Sequence, residues 1–434
     1  MFTFKINNYR AVKDAAIRID GITVLAGING SGKSTLSRWL YYMVNAAHNF
    51  EIFQRQYFID SLVQEIEKVQ RVFRPTPKSG NYQSVKTQIR RMNAGEELDW
   101  ELLKDLYNSF LEKAEQDLRQ YAEERPLGGR LSAYLLGQES SEELDAASII
   151  DTYLHWCREA YERGLNKYLE RVESYRLDDL ERIITSEYSD GERIPAGISL
   201  MEGDTPLLES ETFTPPLMLN RAIYIDSPMA VSGRIYSHGK DIWEDFHHYL
   251  YKENPQRKNT SSERLHIQIQ SIIGGDIQLT DDKLEMEKEL HYVSREQGID
   301  ININDAATGV KTFAYMSQLL RNGWLDKNTL LLIDEPEAHL HPQWIVEFAR
   351  LLVRIHKELG VKIVLASHNP DMVAAIQSIA RKEEVIDNTI FYLAEKNETD
   401  SRYAFVDKGD EIGDIFTSFN IALSRIEMYG TSVI

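Results

Sequence analysis

Residues 22–34 read Ile-Thr-Val-Leu-Ala-Gly-Ile-Asn-Gly-Ser-Gly-Lys-Ser, an apolar run followed by a glycine-rich turn. The last eight of these, Gly27 to Ser34, match the pattern Gly-x-x-x-x-Gly-Lys-Ser/Thr. The pattern follows a predicted strand and opens a predicted helix, which is the context of a phosphate-binding loop. Its glycines let the backbone curl so that successive N–H groups point at phosphate oxygens, and the helix dipole adds positive charge there. A glycine turn with a purely structural role is the alternative interpretation.

The side chains of this loop predict specific contacts with a nucleotide. Lys33 can bridge the β and γ phosphates, Ser34 can bind Mg²⁺, and Thr35 can donate a hydrogen bond to the α phosphate. We therefore expect a nucleotide site formed by Asn29, Gly30, Ser31, Gly32, Lys33, Ser34 and Thr35.

Two acidic residues follow a second apolar run, at 329–333, about 300 residues further along the chain. An unbroken apolar run predicts a strand that is buried on both faces of a parallel sheet. Asp334 can hold Mg²⁺ through water, and Glu335 can orient an attacking water. A third run, at 361–366, leads into His368, whose imidazole can lie beside a γ phosphate. Alone, either feature also fits a strand end with no chemical role.

The rest of the sequence predicts an α/β fold with a large helical insertion. Residues 1–46 read as three strands, the glycine-rich turn and a helix. Residues 47–216 are predicted to be mostly helical, with a loop region at 187–216 that closes the insertion, and a second helical stretch is predicted at 235–325. Further strands are predicted at 221–225, 329–334, 361–367 and 389–394.

Composition excludes several classes of protein. The chain has 434 residues, of which 42% are hydrophobic and 27% charged, as in ordinary folded domains. Its net charge of -19 opposes a chain-wide attraction to nucleic acid or anionic lipid. The apolar runs are far shorter than the roughly 20 residues of a membrane span, and the N-terminus lacks the pattern of a signal peptide. Cys157 is the only cysteine, which excludes an intrachain disulfide and a cysteine-based zinc site and favours the cytoplasm.

One segment departs from the acidic character of the chain. Between residues 68 and 91 there are seven basic residues and no acidic one. These are Lys68, Arg71, Arg74, Lys78, Lys86, Arg90 and Arg91. A solvated face is the default interpretation, and a docking patch for an acidic partner or for nucleic acid is the alternative.

The loop, the paired acids and the histidine, in this order, resemble the Walker A, Walker B and switch-histidine motifs of the ATP-binding-cassette (ABC) class of P-loop ATPases. More narrowly, residues 6–13 (Ile-Asn-Asn-Tyr-Arg-Ala-Val-Lys) and 334–342 (Asp-Glu-Pro-Glu-Ala-His-Leu-His-Pro) look like the RecF-like and overcoming-lysogenization-defect group. The resemblance covers about 1–46 and 220–400, and the helical insertion lies outside it.

This resemblance implies an ABC-type ATPase head with a mostly parallel sheet, formed by 1–46 and 217–434, in which 235–325 is a helical signature subdomain and 47–216 is the insertion. It also implies Mg²⁺-dependent hydrolysis of ATP. Glu335 and His368 are then the catalytic residues, and Ser34 and Asp334 are the metal ligands.

In that class two subunits bind ATP between them, head to tail, and a signature helix of one subunit caps the γ phosphate of the other. Here residues 306–311 are a degenerate match, in which Thr308 and Gly309 keep the hydroxyl and the close-approach glycine, and a plain helix start is the alternative. The resemblance places the D-loop at 338–341, where His341 replaces the usual acid; a His-x-His metal pair is less favoured. The strand before the signature subdomain ends in Asp226-Ser227, without the glutamine of a Q-loop.

The expected function is that of a regulatory ATPase, a head-to-tail dimer or higher homo-oligomer. Members of the overcoming-lysogenization-defect group often carry a C-terminal TOPRIM nuclease, but about 40 residues follow the last predicted strand, too few to fold one. We therefore expect a separate effector, a nuclease or toxin encoded nearby, as in two-component phage-defence systems such as Septu and PARIS. The alternative is a DNA-repair or DNA-maintenance ATPase, similar to RecF and SMC proteins, that binds DNA directly. No membrane partner is expected.

Overall fold

The computed structural model describes residues 1–74, 76, 78–92, 98–124, 128–137, 145–226, 242–254, 260–281, 288–419 and 428. The chain forms two units. The first consists of residues 1–48 and 177–434, and the second of residues 49–176. Each unit has its own hydrophobic core.

Strands occur in the first unit, in two sheets. They are β1 (Phe2–Tyr9), β2 (Val12–Ile19), β3 (Ile22–Ala26), β4 (Ser199–Glu202), β5 (Thr205–Pro206), β6 (Arg221–Ile225), β7 (Asp276–Asp281), β8 (Lys288–Ser294), β9 (Ile299–Asn302), β10 (Thr329–Asp334), β11 (Lys362–Ser367), β12 (Thr389–Lys396) and β13 (Tyr403–Asp407).

Helices occur in both units. The second unit contains α2 (Phe50–Val72), α3 (Lys78–Met92), α4 (Trp100–Glu124), α5 (Gly128–Leu135) and α6 (Ala146–Ser174). The first unit contains α1 (Lys33–His48), α7 (Leu177–Ile183), α8 (Ile242–Tyr251), α9 (Thr260–Ile273), α10 (Thr308–Arg321), α11 (Pro342–Leu359), α12 (Pro370–Lys382) and α13 (Gly413–Phe419). In the described residues, no helix is both long enough and apolar enough for a bilayer crossing.

Ten strands form the main sheet, in the order β5-β4-β1-β2-β13-β12-β3-β11-β10-β6. Five neighbours, from β12 to β6, run parallel. The predicted α/β class with a mostly parallel sheet is therefore confirmed. The strands predicted at 221–225 and 329–334 form with those limits, and those predicted at 361–367 and 389–394 form as β11 and β12.

Both faces of the parallel part are buried, because helices cover each side. Every residue of β10 and β11 is buried. On one face Leu331 and Ile333 join a core with apolar side chains of α9 to α12. On the other face β6 and β10 contact α1. This two-sided burial explains why the strands read as unbroken apolar runs.

The end of the predicted insertion differs from the prediction. The second unit ends at Arg176, whereas the predicted insertion extends to 216. The predicted loop region at 187–216 contains β4 and β5, and β4 extends the main sheet by pairing with β1, with Leu200 opposite Phe4. A four-residue strand has too little periodicity to stand out among glycine, proline and acidic residues.

The stretch 235–325 is only partly helical. It holds α8, α9 and α10, but also an antiparallel sheet in the order β7-β8-β9. Alternate residues of this sheet, such as Leu290 and Tyr292 in β8, are buried, which is the period of a strand. The stretch predicted to be helical therefore contains strands as well as helices, and its segments 235–241, 255–259 and 282–287 lie outside the described residues.

The basic run of the second unit is divided between α2 and α3, and much of its charge is neutralised. Lys68 pairs with Glu65 at 2.8 Å and Lys78 with Asp117 at 2.9 Å. Lys86 and Arg90 share Glu67, at 3.1 and 3.9 Å. Within the described part of the chain, the exposed residues Arg71, Arg74 and Arg91 have no ion pair. A patch for an acidic partner would therefore consist of these three arginines.

The core of the second unit contains the only cysteine of the chain. Cys157 lies on α6 with 1% of its surface exposed, and its Sγ lies 3.9 Å from Glu65 Oε2 on α2. Burial raises the pKa of the Cys157 thiol to about 12. Nearly all of this thiol is therefore protonated at neutral pH, and a protonated thiol is a poor nucleophile.

We expect a thiol reagent such as 5,5′-dithiobis(2-nitrobenzoic acid) to leave Cys157 almost unlabelled at pH 8 in the folded protein. In 6–8 M urea one thiol per chain should react. The absorbance of the released thiolate measures both reactions. Complete labelling of the folded protein within minutes would contradict the burial of α6 against α2.

Candidate functional site

Parallel pairing brings three distant segments to one edge of the sheet. Ala26, at the end of β3, is opposite Ser367 at the end of β11. Ala366 is in turn opposite Asp334 at the end of β10. The glycine-rich loop, the paired acids and His368 each follow one of these strands, so they meet at the carboxyl edge of the sheet, where α/β folds bind ligands.

The glycine-rich loop connects β3 to α1 and depends on the backbone freedom of glycine. Gly30 and Gly32 have φ angles of 79° and 98°, in the left-handed region that other residues rarely adopt. A Cβ on Gly32 would also lie 2.6 Å from Val12 Cγ2. Helix α1 begins directly after this turn, at Lys33. Its N-terminus therefore faces the loop, in the arrangement that binds phosphate groups.

Lys33 lies within this loop, with 6% of its surface exposed. Its Nζ donates hydrogen bonds to the carbonyl oxygens of Gly27 and Ile28, at 2.7 and 2.9 Å. Burial lowers the pKa of Lys33, and the nearby carboxylates of Asp334 and Glu335 oppose that shift. The ammonium group is thus held between the loop and the acids that follow β10.

Asp334 is buried, with 2% of its surface exposed, and its two oxygens differ. Oδ2 accepts a hydrogen bond from the hydroxyl of Tyr224 at 2.6 Å. Oδ1 is buried and has no hydrogen-bond partner in the described residues. Burial raises the pKa of Asp334, while Tyr224 and the serine hydroxyls of Ser34 and Ser37 lower it.

These residues fit a Mg²⁺ ion. Ser34 lies close enough to Asp334 to influence its pKa, and the unpartnered Oδ1 is a buried oxygen that needs a cation or a donor. Hydroxyl and carboxylate oxygens are the ligands that Mg²⁺ prefers, directly or through water. When bound, the ion would supply positive charge to the β and γ phosphates.

Glu335, the residue after Asp334, has an unusual backbone conformation. Its φ angle of 50° is left-handed, a conformation that costs about 1 to 2 kcal/mol for a residue with a Cβ, and its N–H donates to Ala366 O at 2.8 Å. Its side chain is 40% exposed, unlike that of Asp334. The strained turn thus directs one acid into the core and the next toward solvent, where it can orient a water molecule.

Glu337 organises the end of β11 and was not recognised in the sequence. Its Oε1 accepts hydrogen bonds from Ser367 Oγ at 2.9 Å and from the His368 N–H at 3.1 Å. His368 Nδ1 lies 3.5 Å from Glu337 Oε1 and 3.7 Å from Glu335 Oε1. Burial raises the pKa of Glu337. The histidine loop is therefore fixed by a buried acid two residues beyond the predicted catalytic one.

A cleft of about 310 Å³ unites most of the predicted residues. It is lined by Arg10, Ala11, Asn29, Gly30, Ser31, Gly32, Lys33, Ser34, Thr35, Glu335 and Ala366. Arg10 and Ala11 come from the turn between β1 and β2; they belong to the segment 6–13 that carries the resemblance, but the sequence assigned no role to either. The Arg10 guanidinium forms an ion pair with Glu192. Asp334 and His368 lie beside the cleft rather than in its lining.

The predicted signature residues lie elsewhere in the first unit. Helix α10 begins at Thr308, as a signature helix would, but a Cβ on Gly309 would lie 2.9 Å from the ring of Trp344 and 3.3 Å from Leu340. The close approach at Gly309 is thus to its own chain. A role for Thr308 and Gly309 toward the phosphate of a partner stays a prediction.

The remaining predicted positions have partners in the fold. His341 is the N-cap of α11, where its Nδ1 accepts the Gln343 N–H at 3.3 Å. A metal-binding group of three or more histidine, cysteine or acidic side chains does not occur among the described residues. At the end of β6, Asp226 pairs with Arg38 at 3.3 Å, and Ser227 lies outside the described residues.

Comparison with known proteins shows the family to which the chain is similar. Residues 22–374 match a family profile described as "AAA domain, putative AbiEii toxin, Type IV TA system". The chain is 32% identical over 90 residues to the energy-coupling factor transporter ATP-binding protein EcfA3 of Clostridium perfringens, which is 20% of this chain and 31% of that protein. It is 29% identical over 160 residues to the methionine import ATP-binding protein MetN of Lactobacillus delbrueckii subsp. bulgaricus, 34% of this chain and 43% of that protein.

The chain thus spans less than half the length of these curated relatives. Among solved structures it is similar to the SMC head domain from Thermotoga maritima, at 11% identity and a TM-score of 0.35, over 93% of this chain and 97% of that one.

We expect the substitution Lys33→Ala to weaken ATP binding by at least about tenfold, because it removes a buried ammonium group that can donate to phosphate oxygens. Glu335→Gln should bind ATP like the wild type but lose most hydrolysis, since the amide keeps the shape and lacks the charge that polarises water. Equilibrium binding of a fluorescent ATP analogue and phosphate release measure the two effects. Full turnover by Glu335→Gln would exclude Glu335 as the residue that positions water.

Proposed function

The chain belongs to the family of AAA domains whose profile it matches, among P-loop ATPases of the AAA/ABC type, and on that premise we propose that it is a Mg²⁺-dependent ATPase that regulates a separate effector. The observation that carries the catalytic part is that Lys33, Asp334 and Glu335 meet at the carboxyl edge of the main sheet. Ser34 and Asp334 hold the ion, and Lys33 and the loop N–H groups hold the phosphates. Glu335 positions the attacking water, with His368 beside it.

We propose that the ATPase works as a head-to-tail dimer. The cleft is open to solvent at Ser34 and Glu335, so phosphates bound there would be covered on one side only. In the arrangement implied by the resemblance, Thr308 and Gly309 of a second copy supply the other side. ATP then forms part of the dimer interface, and hydrolysis of ATP allows the two copies to separate.

Light scattering of Glu335→Gln with Mg²⁺ and ATP should show a dimer that disappears without nucleotide. Adding Gly309→Asp should abolish it, because in the proposed sandwich the added negative charge at the start of α10 would lie near the γ phosphate of the partner copy. Gly309→Asn is the matched control, since asparagine has nearly the size of aspartate and presses on Trp344 in the same way but adds no charge, and it should keep the dimer. If both double variants behave alike, packing against Trp344 explains Gly309 and the sandwich loses its support.

The effector is proposed to be another protein, a nuclease or toxin, in a phage-defence system resembling Septu or PARIS and the overcoming-lysogenization-defect group. The description of the matching family names a toxin of a toxin–antitoxin system, which by definition has more than one component. The second unit offers a docking surface in Arg71, Arg74 and Arg91, which are exposed and lack an ion pair among the described residues. Cytoplasmic action is part of this proposal.

We expect charge reversal of Arg71, Arg74 and Arg91 to glutamate to weaken capture of the product of a neighbouring gene, in a salt-sensitive way, without changing ATP hydrolysis. The matched control reverses Lys113, Arg158 and Lys167, three exposed bases on α4 and α6 that also lack an ion pair in the described residues. Pull-down at 50 and 300 mM salt measures the effect. Loss of duplex DNA binding in the first variant would instead favour the DNA-maintenance function.

A further inference from the structure

Tyr224 connects the end of β6 to the metal-binding acid of β10. The two strands run parallel with Tyr224 opposite Leu332, so Asp334, two residues further on, projects from the same face as Tyr224. A long side chain reaches such a diagonal neighbour. The Tyr224 ring is 1% exposed, and its hydroxyl lies 2.6 Å from Asp334 Oδ2.

The direction of this hydrogen bond is fixed by Arg38 on α1. Its Nε lies 3.5 Å from the Tyr224 oxygen, and its Nη2 lies 3.3 Å from Asp226 Oδ2. A guanidinium group has donors only, so the Tyr224 oxygen faces a donor on that side. The single hydroxyl hydrogen of Tyr224 is therefore directed at Asp334. Asp226 in turn keeps Arg38 in place.

The contact leaves one oxygen of Asp334 available. Oδ2 is occupied by Tyr224, whereas Oδ1 is buried without a hydrogen-bond partner in the described residues. Rotation of the carboxylate about its Cβ–Cγ bond would exchange the two oxygens, and the bond to Tyr224 opposes that rotation. Partners of this kind orient metal ligands, and their loss weakens metal binding.

We infer that Tyr224 is a positioning residue, which holds the Asp334 carboxylate so that Oδ1 faces the Mg²⁺ ion, and that Arg38 and Asp226 keep it in that role. This inference rests on the Mg²⁺ site proposed above. The end of β6, where the resemblance would place the glutamine of a Q-loop, carries none. Orientation of the metal ligand is here assigned to Tyr224 of the same strand. The alternative is that the Tyr224 hydroxyl only satisfies a buried acid and does not influence the metal.

The test compares ATP binding with and without Mg²⁺, so that it does not depend on turnover. In the Glu335→Gln background, isothermal titration calorimetry gives the affinity for ATP in Mg²⁺ and in EDTA. We expect Tyr224→Phe to reduce the Mg²⁺-dependent gain in affinity by about 10- to 100-fold and to leave binding in EDTA unchanged. Electron paramagnetic resonance of Mn²⁺ should show the same loss of bound ion.

Tyr315→Phe is the matched control. Tyr315 is also a buried tyrosine of the first unit, with 2% exposure, but its hydroxyl has no hydrogen-bond partner in the described residues. Removal of that hydroxyl should leave the Mg²⁺-dependent gain at the wild-type value. An equal loss in both variants would show a general effect of removing buried hydroxyls and would overturn the inference.

The outcomes separate the inference from the proposal on which it rests. If the Glu335→Gln protein gains no affinity from Mg²⁺, the metal site itself is refuted, and the inference with it. If it gains affinity and Tyr224→Phe gains equally, only the inference is refuted. Thermal unfolding without nucleotide checks that Tyr224→Phe is folded. If Tyr224→Phe does not fold, Arg38→Gln replaces it in the test, because Arg38 is half-exposed. An unchanged Mg²⁺-dependent gain in ATP affinity in Arg38→Gln would overturn the inference.

Discussion

The parallel hydrogen bonds between β3, β11 and β10 are the constraint on which the candidate site depends. They set Ala26 against Ser367 and Ala366 against Asp334, so the ends of three strands coincide to within a residue. A shift of one position in the pairing of β10 with β11 would turn Asp334 to the opposite face, because strand side chains alternate. The register thus gives the acids their positions relative to Lys33.

Burial then gives these groups their properties. Lys33, Asp334 and Glu337 are each less than a tenth exposed, and burial shifts the pKa of each toward its neutral form. Their mutual proximity opposes this shift for Lys33. A buried charge without a partner is costly, so the unpartnered oxygens of Asp334 and Glu337 are the points where this part of the structure most needs a cation or a donor.

The sequence predicted the parts of the site that lie within short segments. The pattern at 27–34 and the apolar run before Asp334 each carry their own signal, and both lie where expected. Tyr224 and Glu337 were missed because their roles come from contacts across 30 or more residues of sequence. Likewise, β4 has only four residues, and the sheet of β7 to β9 lies between α9 and α10, within a stretch whose overall pattern reads as helical. At Gly309 the structure adds a contact that the resemblance did not imply, the close approach of its backbone to Trp344.

The strand order has a consequence for how the chain is made. β3 lies between β11 and β12, and β11 begins more than 330 residues after β3 ends. During translation the ribosome therefore exposes β3, an apolar strand with both edges unpaired, for about 15 to 70 s before its neighbours emerge. Residues 49–176 have a separate core and are complete early in that interval. The glycine-rich loop therefore cannot reach its final position until β11 and β12 have been synthesised. We expect chaperones that shield apolar strands to act on the nascent first unit rather than on the helical second unit.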